Sequence, residues 1–266
     1  MLKNNLKSVI NFFGLEIIKK SNFDKITNIP NFSFLWNLIT EEQKHFIAKY
    51  LVNSKSQYAQ DLFVISEMCN KKLSPFFIEF GATDGIKWSN TYLLEKEFNW
   101  EGILSEPAKV WGKQLKINRS CIIDTRCVYN ISGERIEFSE ILNPTDKYLV
   151  SSAELSTIKS FTVKNDWASS VRKNNSITYE VETVSLNDLL DQHNAPEKIG
   201  FLSIDTEGSE LLILNSFNFN KYKIDIVIVE HNYNLEIRNN IYNLLTKNGY
   251  TRKYKEISGA DDWYVL

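Results

Sequence analysis

Five short apolar runs constrain this chain more than anything else in it: Phe76–Phe80, Gly102–Ser105, Cys121–Ile123, Gly200–Ile204 and Ile224–Val229. Each is strand-sized and closed by a glycine or an acidic residue, the pattern of strands buried on both faces. Helix-period stretches separate them at Ser89–Phe98, Ser185–Gln192, Ser209–Leu214 and Glu236–Lys247. Strands alternating with helices predict a mostly parallel sheet with helices on both faces. The end departs from that rhythm. Tyr250–Ile257 and Trp263–Leu266 are joined by Ser258-Gly259-Ala260-Asp261, too short for a parallel crossover, so the terminal strand pairs antiparallel. The expected class is α/β, Rossmann-like, with an antiparallel C-terminal strand.

Ahead of this domain, residues 1–72 read as a helical N-terminal extension. Phe34–Leu38, Phe46–Leu51 and Tyr58–Met68 carry helix-period apolar positions, and Asn28–Asn31 holds the proline break. In the opening segment Leu2, Leu6, Val9, Phe13 and Ile17 share one helical face. Asn11 and Glu16 interrupt any signal-peptide core, and this face is expected to pack on the protein itself or on a second copy, as a homo-oligomer, in preference to the alternative of a helix lying in a membrane interface. Residues 73–266 make the α/β domain. Within it, 131–180 is expected to be an irregular insertion on the substrate side, with Tyr148, Phe161 and Trp167 offered to a ring.

Composition narrows the partners. A net charge of −2 over 266 residues recruits no nucleic acid, and no apolar run reaches the roughly 18 residues of a transmembrane segment. Cys69, Cys121 and Cys127 form no CxxC pair and are odd in number, which fits a reducing, cytoplasmic setting.

Four places carry chemistry. Glu79-Phe80-Gly81-Ala82-Thr83-Asp84-Gly85 follows a buried strand, where glycines let the backbone turn and approach a ligand. By itself this fits an ordinary strand-to-helix turn equally well. Glu106, before Pro107, ends the next strand, where a carboxylate accepts both hydroxyls of a ribose. Together they point to an adenosine-type cofactor, and Ala82-Thr83 after Gly81 argues against the GxGxxG turn of a pyrophosphate site. Asp205 sits at a strand end in Ser203–Glu210, although helix capping accounts for Glu207 or Ser209. Glu230-His231 closes the following strand.

The chain resembles the FkbM-type S-adenosylmethionine-dependent methyltransferases over residues 56–266. Ser56-Gln57-Tyr58-Ala59-Gln60-Asp61, Phe77–Gly85, Ser89–Glu95, Trp100–Pro107 and Ile204–Glu210 carry the likeness by their order and spacing. Glu79 stands where many relatives have Asp. The resemblance implies the class I methyltransferase fold. It also implies that Glu79, Gly81, Ala82, Thr83 and Gly85 wrap the methionine and ribose of the cofactor, with Ser89, Asn90 and Thr91 close by. Glu106 would hold the ribose, Cys127 and Val128 would flank the adenine, and Asp205 would lie near the methionine amino group. The acceptor it suggests is a hydroxyl of a sugar or other small molecule, as in a surface polysaccharide.

An alcohol acceptor must lose its proton as the bond to the methyl carbon forms. His231 is the first choice of base, because imidazole titrates near neutrality, and Asp205 the second. Alternatively Asp205, Glu230 and His231 gather around a divalent cation, against which stands the opposite facing of adjacent strand residues. A nucleotide-dependent oxidoreductase and a non-catalytic cofactor-binding scaffold remain the competing classes.

Overall fold

Phe76–Phe80 is buried at every position, so both faces of this strand need a covering layer. In the computed structural model, which describes residues 29, 31–142, 152–162, 172, 175–256 and 259–266, both faces have one. The strands are β1 (Phe76–Phe80), β2 (Glu101–Ser105), β3 (Ile122–Asp124), β4 (Cys127–Tyr129), β5 (Arg135–Ile141), β6 (Thr157–Ile158), β7 (Ser176–Ser185), β8 (Lys198–Ile204), β9 (Lys223–Glu230), β10 (Thr251–Lys253) and β11 (Asp261–Val265). The helices are α1 (Phe32–Leu38), α2 (Glu41–Ile47), α3 (Gln60–Asn70), α4 (Tyr92–Phe98), α5 (Gly112–Asn118), α6 (Leu186–Gln192), α7 (Glu210–Ser216) and α8 (Leu235–Lys247).

Seven strands form the main sheet in the order β10-β11-β9-β8-β1-β2-β3. β1, β2, β3, β8 and β9 are mutually parallel, and β11 runs antiparallel to both neighbours. The chain lays β2 and β3 to one side of β1 and β8 and β9 to the other. The switch point therefore lies between β1 and β8, where open α/β sheets bind ligands at the carboxyl ends of their strands.

The pleat divides the core in two. Phe77, Leu104, Phe201, Ile228 and Trp263 pack with Leu62, Phe63 and Ile65 of α3 and with Leu35 and Ile47 of the preceding helices. Phe76, Ile78, Ile103, Leu202, Val229 and Tyr264 pack on the other face with Leu189, Leu214, Ile241 and Leu245 of α6, α7 and α8. Full burial of one such side chain contributes roughly 1.5–3 kcal/mol. Helix α3 thus shares its core with the sheet, and the Phe63 ring stacks on Trp263 at 4.8 Å. The oligomer expectation rests on residues 2–17, which lie outside the described residues, as do Tyr148 and Trp167.

The region 131–180 corrects the sequence reading. Its described residues are not irregular: β5 pairs antiparallel with β7 and β6, and β7 runs parallel to β4, making a four-stranded second sheet. Arg135-Ile136-Glu137-Phe138 and Thr178-Tyr179-Glu180-Val181 alternate polar with apolar, the signature of a strand with one covered face. Phe138, Ile158 and Val181 form its small core, against which Phe161 packs, so Phe161 is a packing residue here. Among the described residues no helix is long and apolar enough to cross a membrane.

Candidate functional site

A cavity of about 350 Å³ opens at the carboxyl edge of the main sheet, over the switch point. Strand alternation decides which side chains reach it. Glu79 and Phe77 lie on the α3 side of β1, as do Ser203 on β8 and Ile228 and Glu230 on β9, and the cavity wall includes Glu79, Ser203, Asp205, Glu230 and Asp261.

The glycine turn after β1 is shaped by close approach. Gly81 has φ +76°, and a Cβ there would sit 2.2 Å from the Asp205 carbonyl oxygen. Gly81→Ala is expected to cost about 3 kcal/mol in chemical denaturation, because the β1 and β8 ends would have to separate. Gly85, at φ +81°, lies against Leu115 and Arg119. Ala82 is buried in the α3-side core.

Glu79 is held more tightly by the protein than the sequence suggests. Its carboxylate accepts from the Ser89 hydroxyl (2.8 Å), the Asn90 backbone N–H (2.6 Å) and the Thr91 hydroxyl (2.6 Å). The fully buried Arg119 closes this group, donating to Ser89 (3.0 Å), Thr91 (3.0 Å) and the Gly85 carbonyl (3.1 Å), and to Glu95 at 2.6 Å. Glu79 thereby fixes the Ser89–Thr91 loop, and Asn90 donates onward to the Ser203 hydroxyl. Ser89 and Thr91 stay behind that wall, whereas Asn90 lines the cavity. Arg119 had no sequence signal: it follows α5 in an otherwise ordinary Asn-Arg-Ser turn.

Glu106 accepts from the backbone N–H groups of Thr83 (2.9 Å) and Ala108 (2.8 Å), which hold its carboxylate at the cavity wall beside Pro107. Burial pushes its pKa up to about 7, against those two donors. Cys127 and Val128, on β4, line the same end. All three cysteines are free.

At the opposite end four carboxyl groups converge. Asp205, on the loop after β8, opens to the cavity but is crowded by protein. Burial and Glu210 raise its pKa to about 7 while a hydrogen bond with Glu230 opposes them. Glu230 is raised well above the usual carboxylate range by burial and by Asp205, so the pair retains a proton near neutrality. Asp261 is pushed up to about 7 by burial, despite bonds from Gln60 (2.8 Å) and the Trp263 indole (3.0 Å). Glu207 is paired with the buried Arg172 at 2.6 Å.

These shifts set the pH dependence of stability. Native Glu106 and Asp261 keep protons that the unfolded chain releases near 4, so their contribution is present below that pH and is lost as pH climbs to about 7. Glu95, lowered to about 2 with Lys96 and Arg119 as partners, acts oppositely and loses its contribution only below about pH 4.5. The ligand-free protein is therefore expected to melt several degrees higher at about pH 5.5 than at about pH 8; a thermal series across that range checks it.

His231 corrects the choice of base. Its imidazole is buried outside the cavity wall. Nδ1 accepts from the Tyr233 N–H (3.2 Å) and Nε2 lies 3.8 Å from Asp262. Burial lowers its pKa. The reason is the pleat: Glu230 is cross-strand from Asp261, and the next residue turns to the α8 face. The cation grouping changes with it. The oxygens within 4.8 Å of one another belong to Asp205, Glu207 and Glu230, and Arg172 already balances Glu207, so the divalent-cation alternative gains no support.

The profile of the methyltransferase FkbM domain matches residues 79–252, from the end of β1 into β10. This chain belongs to the FkbM methyltransferase family. No curated protein matches it. The matched region carries Glu79, the glycine turn, Glu106, Asp205 and Glu230, so most of the cavity wall belongs to the FkbM methyltransferase domain. Gln57, Tyr58, Gln60, Ala260 and Asp261 complete the described wall from outside the matched residues.

Proposed function

We propose that this methyltransferase takes its methyl group from S-adenosylmethionine and delivers it to a hydroxyl oxygen of a sugar. The observation that carries the reading is Glu106. A carboxylate at the end of β2, held by two backbone N–H groups, faces a cavity over the switch point of a methyltransferase fold. That is a ribose-binding arrangement.

The cavity fits the rest of the cofactor. Asn90 Oδ1 is buried at the wall with no hydrogen-bond partner in the protein, an acceptor suited to an ammonium group, and Asp205 adds negative charge at the same edge. Cys127 and Val128 offer an apolar surface for a purine. Bound S-adenosylmethionine supplies a methyl carbon on a sulfonium, a leaving group that needs no protonation.

The chain's own work is alignment and proton removal. Fixing the acceptor oxygen in line with the methyl carbon contributes several kcal/mol. The acceptor hydroxyl gives its proton to the Asp205–Glu230 pair as its oxygen bonds to carbon. A pair of carboxyl groups both raised well above the ordinary carboxylate range is a better-matched base than an ordinary carboxylate.

Calorimetric titration with S-adenosylhomocysteine tests the cofactor. Micromolar binding is expected. No binding by folded protein would overturn the reading, and stabilisation by reduced nicotinamide cofactor would then favour the oxidoreductase.

A further inference from the structure

Ser56-Gln57-Tyr58-Ala59-Gln60-Asp61 lies ahead of the residues matched by the FkbM domain, yet the fold brings it to the cavity. Gln57, Tyr58 and Gln60 line the wall. The turn is held in place from several directions. Asp61 accepts from the hydroxyls of Ser54 (2.8 Å) and Ser56 (2.6 Å) and from the backbone of Lys55 (2.9 Å). Ser56 forms a parallel bridge with Trp88. Ala59 is held at φ +66°, a conformation that costs a non-glycine residue energy and persists only where its surroundings impose it.

Gln60 joins this turn to β11. Its side-chain carbonyl accepts from the Tyr58 N–H (2.7 Å) and its amide donates to Asp261 (2.8 Å). Asp261 in turn is cross-strand from Glu230, so the two carboxyl groups are neighbours on one face. Burial and the nearby Tyr233, Asp261, Glu230 and Asp205 push the Tyr58 phenol up to about 12, which keeps it a neutral hydroxyl.

This end of the cavity is distant from Glu106. Four strand spacings separate β2 from β11, about 19 Å at ~4.8 Å each. Among the described residues of the wall, Lys87 is the one basic side chain, and it is paired with Glu154 at 2.6 Å. Asp205, Glu207, Glu230 and Asp261 meanwhile crowd the β9–β11 side.

We infer that the turn Gln57–Gln60 and Asp261 form the acceptor half of the cavity, and that this half takes a hydroxyl-rich acceptor bearing no negative charge. The inference rests on the methyltransferase reading above and narrows its acceptor. Asp261 and the Tyr58 hydroxyl hydrogen-bond the acceptor's hydroxyls, Gln60 is the positioning residue for Asp261, and the described wall there offers a phosphate or a uronate carboxyl groups and no basic side chain to pair with.

The test uses the full chain saturated with S-adenosylhomocysteine and three methyl glycosides of one ring: the glucoside, the glucosaminide and the glucuronide. Saturation-transfer NMR reads their binding. The neutral and amino glycosides are expected to bind, with the glucuronide at least about tenfold weaker. Gln60→Met and Asp261→Asn are each expected to weaken the glucoside about tenfold while S-adenosylhomocysteine affinity stays within about threefold. That split separates an acceptor role from a general loss of structure. Should Asp261→Asn not fold, Tyr58→Phe serves as the second variant, with the same expectation. Equal or tighter binding of the glucuronide, or glucoside binding indifferent to the variants, overturns the inference. So does protein that holds S-adenosylhomocysteine but none of the glycosides. Failure to bind S-adenosylhomocysteine strikes the methyltransferase reading, and this inference with it.

Discussion

Glu106→Ala is expected to weaken S-adenosylhomocysteine binding by about 100-fold or more in a calorimetric titration. Two charge-assisted hydrogen bonds to a ribose, at roughly 1.5–3 kcal/mol each, set that scale. The substitution also strips the backbone N–H groups of Thr83 and Ala108 of their acceptor, and the turn after β1 would then hold the ligand less firmly. Glu106→Gln separates the two effects. It keeps an acceptor oxygen for one of the two backbone N–H groups but sets its amide NH2 against the other and loses the charge, so it should recover part of the melting temperature while affinity stays well below wild type. Wild-type affinity in Glu106→Ala would remove the ribose role.

The second large effect is on turnover. Replacing Glu230 by Gln removes a group that receives the acceptor's proton, and kcat is expected to fall by about 10²–10⁴-fold with little change in donor affinity, whereas Asp205→Asn should lower kcat and weaken donor binding as well. The pH profile supplies the sign. A base must be unprotonated to act; Asp205 is raised to about 7, and burial with the neighbouring Asp205 raises Glu230 well above the usual carboxylate range. The wild-type rate should therefore rise with pH through neutrality and decline on the acid side. A rate flat from about pH 5 to 9 would show that proton removal does not limit the reaction.

Much of the fold was legible because strands buried on both faces leave continuous apolar runs. Phe76–Phe80, Gly200–Ile204 and Ile224–Val229 all lie within β1, β8 and β9, and the short Ser258–Asp261 link foretold the antiparallel β11. The second sheet was missed because one of its faces is wet. Arg135, Glu137 and Glu180 hide the period-2 signal under a polar composition. Site legibility followed the same divide. Glu106 and Asp205 end apolar runs and stand out. Arg119, Arg172 and Asp261 act through tertiary partners that no local spacing reveals. His231 stands out as a base because imidazole titrates near neutrality, but of two adjacent residues at the end of β9 the pleat turns only Glu230 to the cavity.

The position of β11 between β9 and β10 also bears on how the protein assembles. β1, β2, β8 and β9 can pair as soon as residues through 230 exist, and they already carry Glu106, Asp205 and Glu230. The wall opposite cannot be built until residues 261–265 slot in beside β9, and the Gln60–Asp261 bond that seals it bridges 201 positions of sequence. Contacts so remote in sequence form late. During synthesis, then, the Glu106 side of the pocket can mature first, and the Asp261 side is the last part of it to take shape.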